Sequence, residues 1–116
     1  MTDEQTADDV VVVTERPVPE TRSRPKKQPA YAVIVENDEF HTFAYVIAAL
    51  SRICGHSLQK AHELAEEIHT RGRAVVWSGT LELAELKRDQ IRGYGPDYFA
   101  PKPVKFPLGT YVEPMA

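Results

Sequence analysis

Hydrophobic and polar residues alternate with a different period in successive parts of the chain. The segment YAVIVE, residues 31 to 36, is β-branched and apolar on both faces until its end, which is typical of a centrally paired strand. Two later segments, RAVVWS and LGTYVE, are also strand-like. Between the strands, apolar residues recur every three or four positions, which indicates amphipathic helices. In chain order the pattern predicts a strand at 31–36, helices at 43–54 and 58–71, a strand at 73–78, a helix at 81–92 and a last strand near 108–113.

Each predicted helix follows a residue that caps helix N-termini and precedes a glycine that can end a helix. The capping residues are Thr42, Ser57 and Thr80, and the glycines are Gly55, Gly72 and Gly93. In the third helix, the spacing favours an inward face made of Leu83, Leu86, Gln90 and Ile91. Because three strands need helices against one face to be stable, we expect an α+β fold, a two-layer sandwich in the order β-α-α-β-α-β.

The two ends of the chain differ from this pattern. Residues 1 to 28 mix prolines with charges of both signs and hold no aromatic residue, so we expect a flexible N-terminal tail before one domain at 29–116. The valine run at 10–13 is either a transient extended patch or a short docking segment. Residues 93 to 109 are rich in proline and aromatic residues and predict a long irregular connection.

Charge and cysteine content narrow the class of protein. With 14 basic and 17 acidic residues and a net charge of -3, the chain has no basic footprint for nucleic acid or an anionic membrane. The single cysteine, Cys54, cannot form an intrachain disulfide, and no apolar stretch approaches the roughly 20 residues of a membrane helix. Since the acidic start of the sequence is also unlike a signal peptide, we expect a cytoplasmic protein.

No motif in the sequence indicates catalysis or a bound metal. His62 and His69 lie about 10 Å apart along one helix, which is too far for both to bind one ion. The segment HELAE lacks the second histidine of a zinc-protease helix. A nucleophile elbow, a phosphate-binding loop and a dinucleotide fingerprint are also missing. We therefore expect no enzyme activity, no cofactor and no metal.

A cluster of polar residues stands at the end of the first strand. Asn37, Asp38 and Glu39 follow that strand, and His69 lies in the last turn of the second helix. In a β-α-α-β unit the second helix returns to the corner where the first begins, so these four side chains can line one hollow. Its expected apolar walls are Phe43, Val46, Ala65 and Ile68.

Such a hollow suits a ligand that carries an ammonium group beside a bulky apolar group. A protein N-terminus that begins with Leu, Phe, Tyr or Trp has this chemistry, because its α-amino group is largely cationic at neutral pH. The alternative is an ordinary loop between strand and helix, with Asp38 and Glu39 complementing the helix dipole and His69 acting as a cation at a helix C-terminus.

Three separated blocks of the sequence, YAVIVENDEFHTFAYVI, IHTRGRAVV and LELAELK, resemble the ClpS family. Members of this family are adaptors that hand N-degron substrates to a Clp AAA+ unfoldase. The resemblance implies a three-stranded antiparallel sheet packed against three helices, as in the C-terminal domain of the ribosomal stalk protein. It also implies a monomeric binding module without an activity of its own.

The resemblance also carries roles for individual residues. Asn37 and His69 match residues that bind the α-amino and first peptide groups of the degron, and Asp38 with Glu39 matches an acidic pair. Glu82 and Lys87 match positions that dock on the N-terminal domain of the unfoldase. The side-chain pocket matches Phe43, Val46, Ala65, Ile68 and Leu108.

Several residues depart from the family pattern. Glu39 is one methylene longer than the usual aspartate, and His41, Thr42 and Phe43 replace a Thr-Pro-Met run. Ala65 replaces a bulkier pocket residue, so we expect a reshaped pocket. Two other interpretations remain: a ClpS-like module that docks on a Clp ATPase without degron recognition, and an enzyme acting on a small amine or peptide. Product formed when the protein alone is incubated with a peptide would distinguish the enzyme from both kinds of binding module.

Overall fold

The computed structural model describes residues 29 to 115. The predicted tail at 1–28, with its valine run, lies outside the described residues. The elements follow the predicted order, and the three helices have the predicted bounds. They are β1 (Tyr31–Glu36), α1 (Phe43–Cys54), α2 (Leu58–Arg71), β2 (Arg73–Gly79), α3 (Leu81–Arg92) and β3 (Thr110–Pro114).

β1 is the central strand of an antiparallel sheet with the order β2-β1-β3. Val33 pairs with Trp77 on one side and with Val112 on the other. Val33 and Val35 are fully buried in the core that the helices cover. The two-layer α+β sandwich predicted from the sequence is therefore the observed architecture.

Local capping fixes the ends of the first two helices. The Thr42 hydroxyl accepts a hydrogen bond from the backbone N–H of Tyr45 at 3.1 Å, which satisfies a free donor in the first turn of α1. Gly55 ends α1 with φ of 77°, and Gly72 ends α2 with φ of 92°. Both values lie in the left-handed region that a residue with a Cβ avoids, so the sequence marks these boundaries.

The predicted inward face of α3 is wrong in part. Leu83 and Leu86 are each 48% exposed and Gln90 is also exposed, whereas Ala84 and Ile91 are completely buried. The leucines of this helix are spaced so that apolar residues occur on two of its faces. The small Ala84 side chain lets α3 approach the core closely, and this packing selects the face that spacing alone does not.

The proline-rich segment, residues 93 to 109, returns to the beginning of α1. Asp97 and Val104 form an isolated antiparallel bridge within it. The Tyr45 hydroxyl donates to the Gly95 carbonyl at 2.5 Å, and the Thr42 N–H donates to an Asp97 carboxylate oxygen at 2.7 Å. This segment is therefore attached to the same end of the molecule as the predicted hollow. Among residues 29 to 115, no helix has the length and apolar character needed to cross a membrane.

Candidate functional site

The candidate site lies where β1 ends, α1 begins and α2 ends. The Asn37 N–H donates to the Gly72 carbonyl at 2.9 Å, and the Glu36 N–H donates to the Gly109 carbonyl at 2.8 Å. These two bonds hold the residues after β1 between the starts of β2 and β3. The side chains of the next residues therefore point from a backbone that is fixed on both sides.

A hollow of about 340 Å³ opens at this corner, and we call it the main hollow. All four polar residues predicted for the site and all four predicted apolar wall residues line it. The complete lining is Asn37, Asp38, Glu39, His41, Phe43, Val46, Ala65, Ile68 and His69. The expectation that these elements converge on one hollow is thus met by the geometry.

Asp38 is tied to its own turn. Its Oδ1 accepts from the backbone N–H groups of Phe40 at 2.8 Å and His41 at 2.7 Å, and its Oδ2 lies 2.6 Å from Nδ1 of His41. Burial raises the pKa of this carboxyl, but the two backbone N–H groups and the His41 ring outweigh burial and lower the pKa overall. Asp38 is therefore an ionised group that shapes the turn at residues 37 to 41, which we call the acidic turn.

Three other polar side chains of the rim face the solvent. Asn37, Glu39 and His69 are exposed, and within the described part of the chain their side chains form no hydrogen bond or ion pair. An exposed amide, carboxylate and imidazole without an internal partner offer hydrogen-bond acceptors to an ammonium group. These residues are the ones whose bonding capacity is open to a ligand.

The floor of the main hollow is apolar and well packed. Val46, Ala65 and Ile68 are between 3% and 7% exposed, so they belong to the core and present only one surface to the hollow. Phe43 is 38% exposed and stands at the side. Its ring contacts the His69 ring edge to face, with 5.5 Å between the ring centroids. The arrangement is a rigid apolar floor beneath a polar rim.

Leu108 does not line the main hollow. It is 2% exposed and borders an adjacent crevice of about 10 Å³, and five residues line both the crevice and the main hollow: Asn37, Asp38, His41, Val46 and Ile68. Leu108 therefore lies next to the main hollow, and its place in the side-chain pocket stays a prediction.

The sequence did not identify His41 and Asp97 as residues that organise the site. His41 bonds Asp38 and also lies 3.0 Å from the Phe106 carbonyl through Nε2. Asp97 is fully buried and accepts from Thr42 at the start of α1. The spacing of three residues between Asp38 and His41 could have indicated their contact. The contacts of His41 and Asp97 across the proline-rich segment could not be predicted from the local sequence pattern.

The two predicted docking residues lie on α3. Glu82 is exposed in the first turn of the helix. Lys87 is half-buried, and its Nζ donates to the Ile53 carbonyl at the end of α1 at 2.8 Å. It borders an open hollow of about 590 Å³ that Arg52, Asp89 and Tyr94 also line. Lys87 therefore links two helices in addition to any role at a surface.

Comparison with known proteins gives the family. A family model described as ATP-dependent Clp protease adaptor protein ClpS matches residues 26–101. An ATP-dependent Clp protease adapter protein ClpS from Thermosynechococcus vestitus is 43% identical over 67 residues, which are 57% of this chain and 71% of that protein. The protein of the same name from Streptomyces avermitilis is 34% identical over 91 residues, 78% of this chain and 76% of the relative.

The fold has a solved counterpart. The structure of Agrobacterium tumefaciens ClpS2 bound to L-phenylalaninamide superposes with a TM-score of 0.62 at 24% sequence identity, and covers 77% of this chain and 100% of its own. ClpS proteins are adaptors of a protease and are themselves non-catalytic, which confirms the prediction that this chain is not an enzyme. With the family model matching more than half of its length, the chain belongs to the ClpS family of Clp protease adaptors.

Proposed function

We propose that this protein binds the free N-terminus of a protein whose first residue is large and hydrophobic, and delivers that protein to a Clp AAA+ unfoldase. The observation that carries the proposal is the main hollow, in which an apolar floor lies directly under a rim of open acceptors. A ligand that fits both parts has an ammonium group and an apolar side chain on adjacent atoms. The first residue of an unblocked protein chain is such a ligand.

The rim supplies the amine site. The α-amino group has a pKa of about 7.7 to 8.0 and is mostly charged at neutral pH, so it donates charge-assisted hydrogen bonds. Asn37, Glu39 and His69 are the proposed acceptors because their side chains are exposed at the rim. Asp38 contributes negative charge close by, while its hydrogen bonds hold the acidic turn.

The floor supplies the side-chain site. An aromatic side chain buries on the order of 150 to 250 Å², worth roughly 4 to 6 kcal/mol before ordering costs, at about 25 cal/mol per Å². Val46, Ala65 and Ile68 provide this apolar surface, and Phe43 closes one side. L-phenylalaninamide, which the Agrobacterium ClpS2 binds, joins a free amine to a benzyl side chain and so has the proposed ligand chemistry.

Delivery requires a second surface that contacts the N-terminal domain of the unfoldase. The candidates are Glu82 and Lys87 on α3, of which Glu82 is exposed and Lys87 is half-buried. A bound adaptor raises the substrate concentration near the unfoldase, so a modest affinity for each partner is sufficient. We propose that the adaptor acts as a monomer in the cytoplasm, without a cofactor.

The test is a fluorescence anisotropy titration of the full chain with peptides that differ only in their first residue. Peptides beginning with Trp, Phe, Tyr or Leu are expected to bind saturably, and those beginning with Ala are not. Acetylation of the same peptides is expected to abolish binding because it removes the positive charge. Binding that ignores acetylation, or no binding, would contradict the proposal and favour a module that docks on the ATPase without degron recognition.

A matched pair of histidine variants locates the binding site. His69→Ala is expected to weaken peptide binding about tenfold or more, since a hydrogen bond to a charged group is lost. His62→Ala removes the same side chain seven residues earlier on α2, where the ring also packs against Phe43, at 6.3 Å between centroids, but does not line the main hollow. It is expected to leave the affinity within about twofold.

Docking is tested separately with a full-length Clp ATPase and the Glu82→Ala variant. This substitution is expected to weaken binding to the ATPase and to leave peptide affinity unchanged, because Glu82 lies outside the main hollow. Glu66→Ala, a change of the same type at an exposed position of α2, is the control. Equal effects of the two variants on ATPase binding would contradict the assignment of α3 as the docking helix.

A further inference from the structure

His41 occupies an unusual position between the acidic turn and the proline-rich segment. Its side chain is 2% exposed, although the residue lines the main hollow. The ring packs against Tyr45 of α1 and against Phe106 of the proline-rich segment, with 5.1 Å between centroids in each case. Three parts of the chain thus enclose one imidazole.

Both ring nitrogens of His41 face acceptors. Nδ1 lies 2.6 Å from Oδ2 of Asp38, and Nε2 lies 3.0 Å from the carbonyl oxygen of Phe106. A carbonyl oxygen cannot donate, and Asp38 is held ionised by the backbone N–H groups on its other oxygen. A neutral imidazole has only one N–H, so only the doubly protonated ring satisfies both contacts.

The Phe106 contact matters because of where it falls in the proline-rich segment. One end of that segment is fastened through Asp97 to Thr42, and the other through Gly109 to Glu36. Phe106 lies between Val104 and Leu108, and the His41 ring reaches its carbonyl from the acidic turn through Nε2. The Phe106 ring also meets Phe40 edge to face, with 5.6 Å between centroids.

We propose that doubly protonated His41 is a positioning residue that clamps the proline-rich segment to the acidic turn and thereby sets the affinity of the main hollow for its ligand. The clamp is a contact within the chain and can exist without any ligand. Its effect on affinity rests on the proposed function. Loss of one ring proton removes one of the two hydrogen bonds and weakens the clamp, while the Phe40 and His41 rings still pack against Phe106.

Several titratable groups share the surroundings of His41, and the test must separate them. Asp38 binds the ring directly, and Tyr45 packs against it from α1. Burial is the largest cause that raises the pKa of Tyr45, so this phenol stays neutral in the pH range of interest. The remaining titratable groups lie around the main hollow and the adjacent crevice or on the proline-rich segment. They are Glu36, Glu39, His69, Asp97 and Lys105.

The clamp itself is tested by NMR on the full chain labelled with ¹⁵N in the histidine rings. The signal missing from His41→Phe identifies His41, and its two ring nitrogens are expected to show the doubly protonated pattern at pH 6. Amide exchange at Val104, whose N–H donates to the Asp97 carbonyl at 3.1 Å within the same segment, is expected to be about threefold to tenfold faster in His41→Phe, which keeps an aromatic ring but loses both hydrogen bonds. A neutral His41 ring at pH 6, or unchanged exchange, would overturn the clamp.

The positioning role is tested by anisotropy with the Trp-initiated peptide. The ratio of Kd values, variant over wild type, is expected to be about three to ten below the pH at which NMR shows His41 losing its proton. Above that pH the ratio should be smaller, because the neutral His41 ring keeps only one donor. Taking the ratio cancels the pH dependence that both proteins share, such as that of the peptide amine. His41→Gln, which keeps one donor, should give a smaller ratio, and His62→Phe a ratio near one.

The outcomes distinguish this inference from the proposed function. If wild type binds the peptide and His41→Phe binds equally well at every pH, the positioning role is overturned while the proposed function stands. If wild type binds no free-amine peptide, the proposed function and the positioning role both fall. The NMR experiment still decides whether the clamp exists, because it needs no ligand.

Discussion

Ala65 has the smallest side chain in the wall of the main hollow. It is 3% exposed, so a larger side chain at this position would extend into the hollow and not into solvent. Its size therefore sets the space for the first residue of a ligand. Phe43, at the side of the same hollow, packs against the rings of His62 and His69.

Ala65→Met is expected to weaken binding of a Trp-initiated peptide at least tenfold and of a Leu-initiated peptide less, because the added atoms take space that the larger side chain needs. Filling or emptying an apolar site by a methylene typically changes affinity about 10-fold to 200-fold. Anisotropy titration of both peptides measures the change. Glu66→Met, the same new residue at the exposed neighbouring position, is the control, and equal losses in both variants would contradict the role of Ala65.

Asp97 is a buried carboxylate whose partners are all within the protein. Its oxygens accept from the N–H of Thr42 at 2.7 Å and from the N–H of Phe99 at 2.9 Å. Asp97→Ala is expected to cost about 2 to 4 kcal/mol of unfolding free energy, since it leaves buried donors unpaired. Urea denaturation measures the loss. Asp89→Ala, an exposed aspartate on α3, should change stability by less than about 0.5 kcal/mol.

Most residues of the candidate site could be predicted from sequence, because they sit at the ends of neighbouring elements. Once β1, α1 and α2 are placed, topology alone brings Asn37 and His69 to one corner. His41 and Asp97 could not be predicted in the same way. Their partners lie 65 and 55 residues away, in a segment without regular structure, and no local periodicity reports such contacts.

At the scale of elements, helix ends were predictable and helix rotation was not. Caps and left-handed glycines act over one turn, so Thr42 and Gly55 mark α1 correctly. The rotation of α3 depends on the surface it packs against. Its apolar spacing fits two faces, and only the close contact at Ala84 selects one.

The observed rotation of α3 predicts opposite effects for two substitutions. Ala84→Leu is expected to lower the unfolding free energy by about 1 to 3 kcal/mol, because Ala84 is completely buried and overpacking strains the core. Leu83→Ala is expected to cost less than about 1 kcal/mol, since Leu83 is 48% exposed. Thermal and urea denaturation give both values. A larger loss of unfolding free energy for Leu83→Ala than for Ala84→Leu would support the inward face predicted from the spacing.

Lys87 links α3 to the end of α1, a contact that the sequence pattern does not predict. Its bond to the Ile53 carbonyl satisfies an acceptor at the end of α1 with a positive charge, which also complements the dipole of that helix. Lys87→Met keeps the apolar stem and is expected to cost about 1 kcal/mol of unfolding free energy. Urea denaturation of both proteins checks this value. Unchanged stability would show that the bond between Lys87 and Ile53 does not stabilise the fold.

At the scale of the whole molecule, the three strands and three helices form a frame to which the proline-rich segment is attached at the candidate site. Asp97, Tyr45 and His41 make these attachments, and all of them meet the first turns of α1 or the acidic turn before it. These attachments connect the segment to the residues that form the candidate site. Conditions that alter the acidic turn should alter the stability of the entire domain.

Acid is such a condition, because folding lowers the pKa of Asp38. A carboxyl with a folded pKa below its unfolded value, near 3.9, contributes stability at higher pH. That contribution is lost as pH falls through the folded pKa, when the protonated group gives up its acceptor role toward His41 and Phe40. Wild type is therefore expected to be more stable than Asp38→Asn near pH 6, and the difference should shrink below pH 4.

Urea denaturation of the two proteins at intervals from pH 6 to pH 3 measures this convergence. Every other carboxyl titrates in both proteins, so the difference between the two curves isolates Asp38. A difference that stays constant with pH would show that Asp38 acts through shape and not through charge. The acidic turn would then be held by its backbone alone, and the ionic bond to His41 would contribute nothing to the folded state.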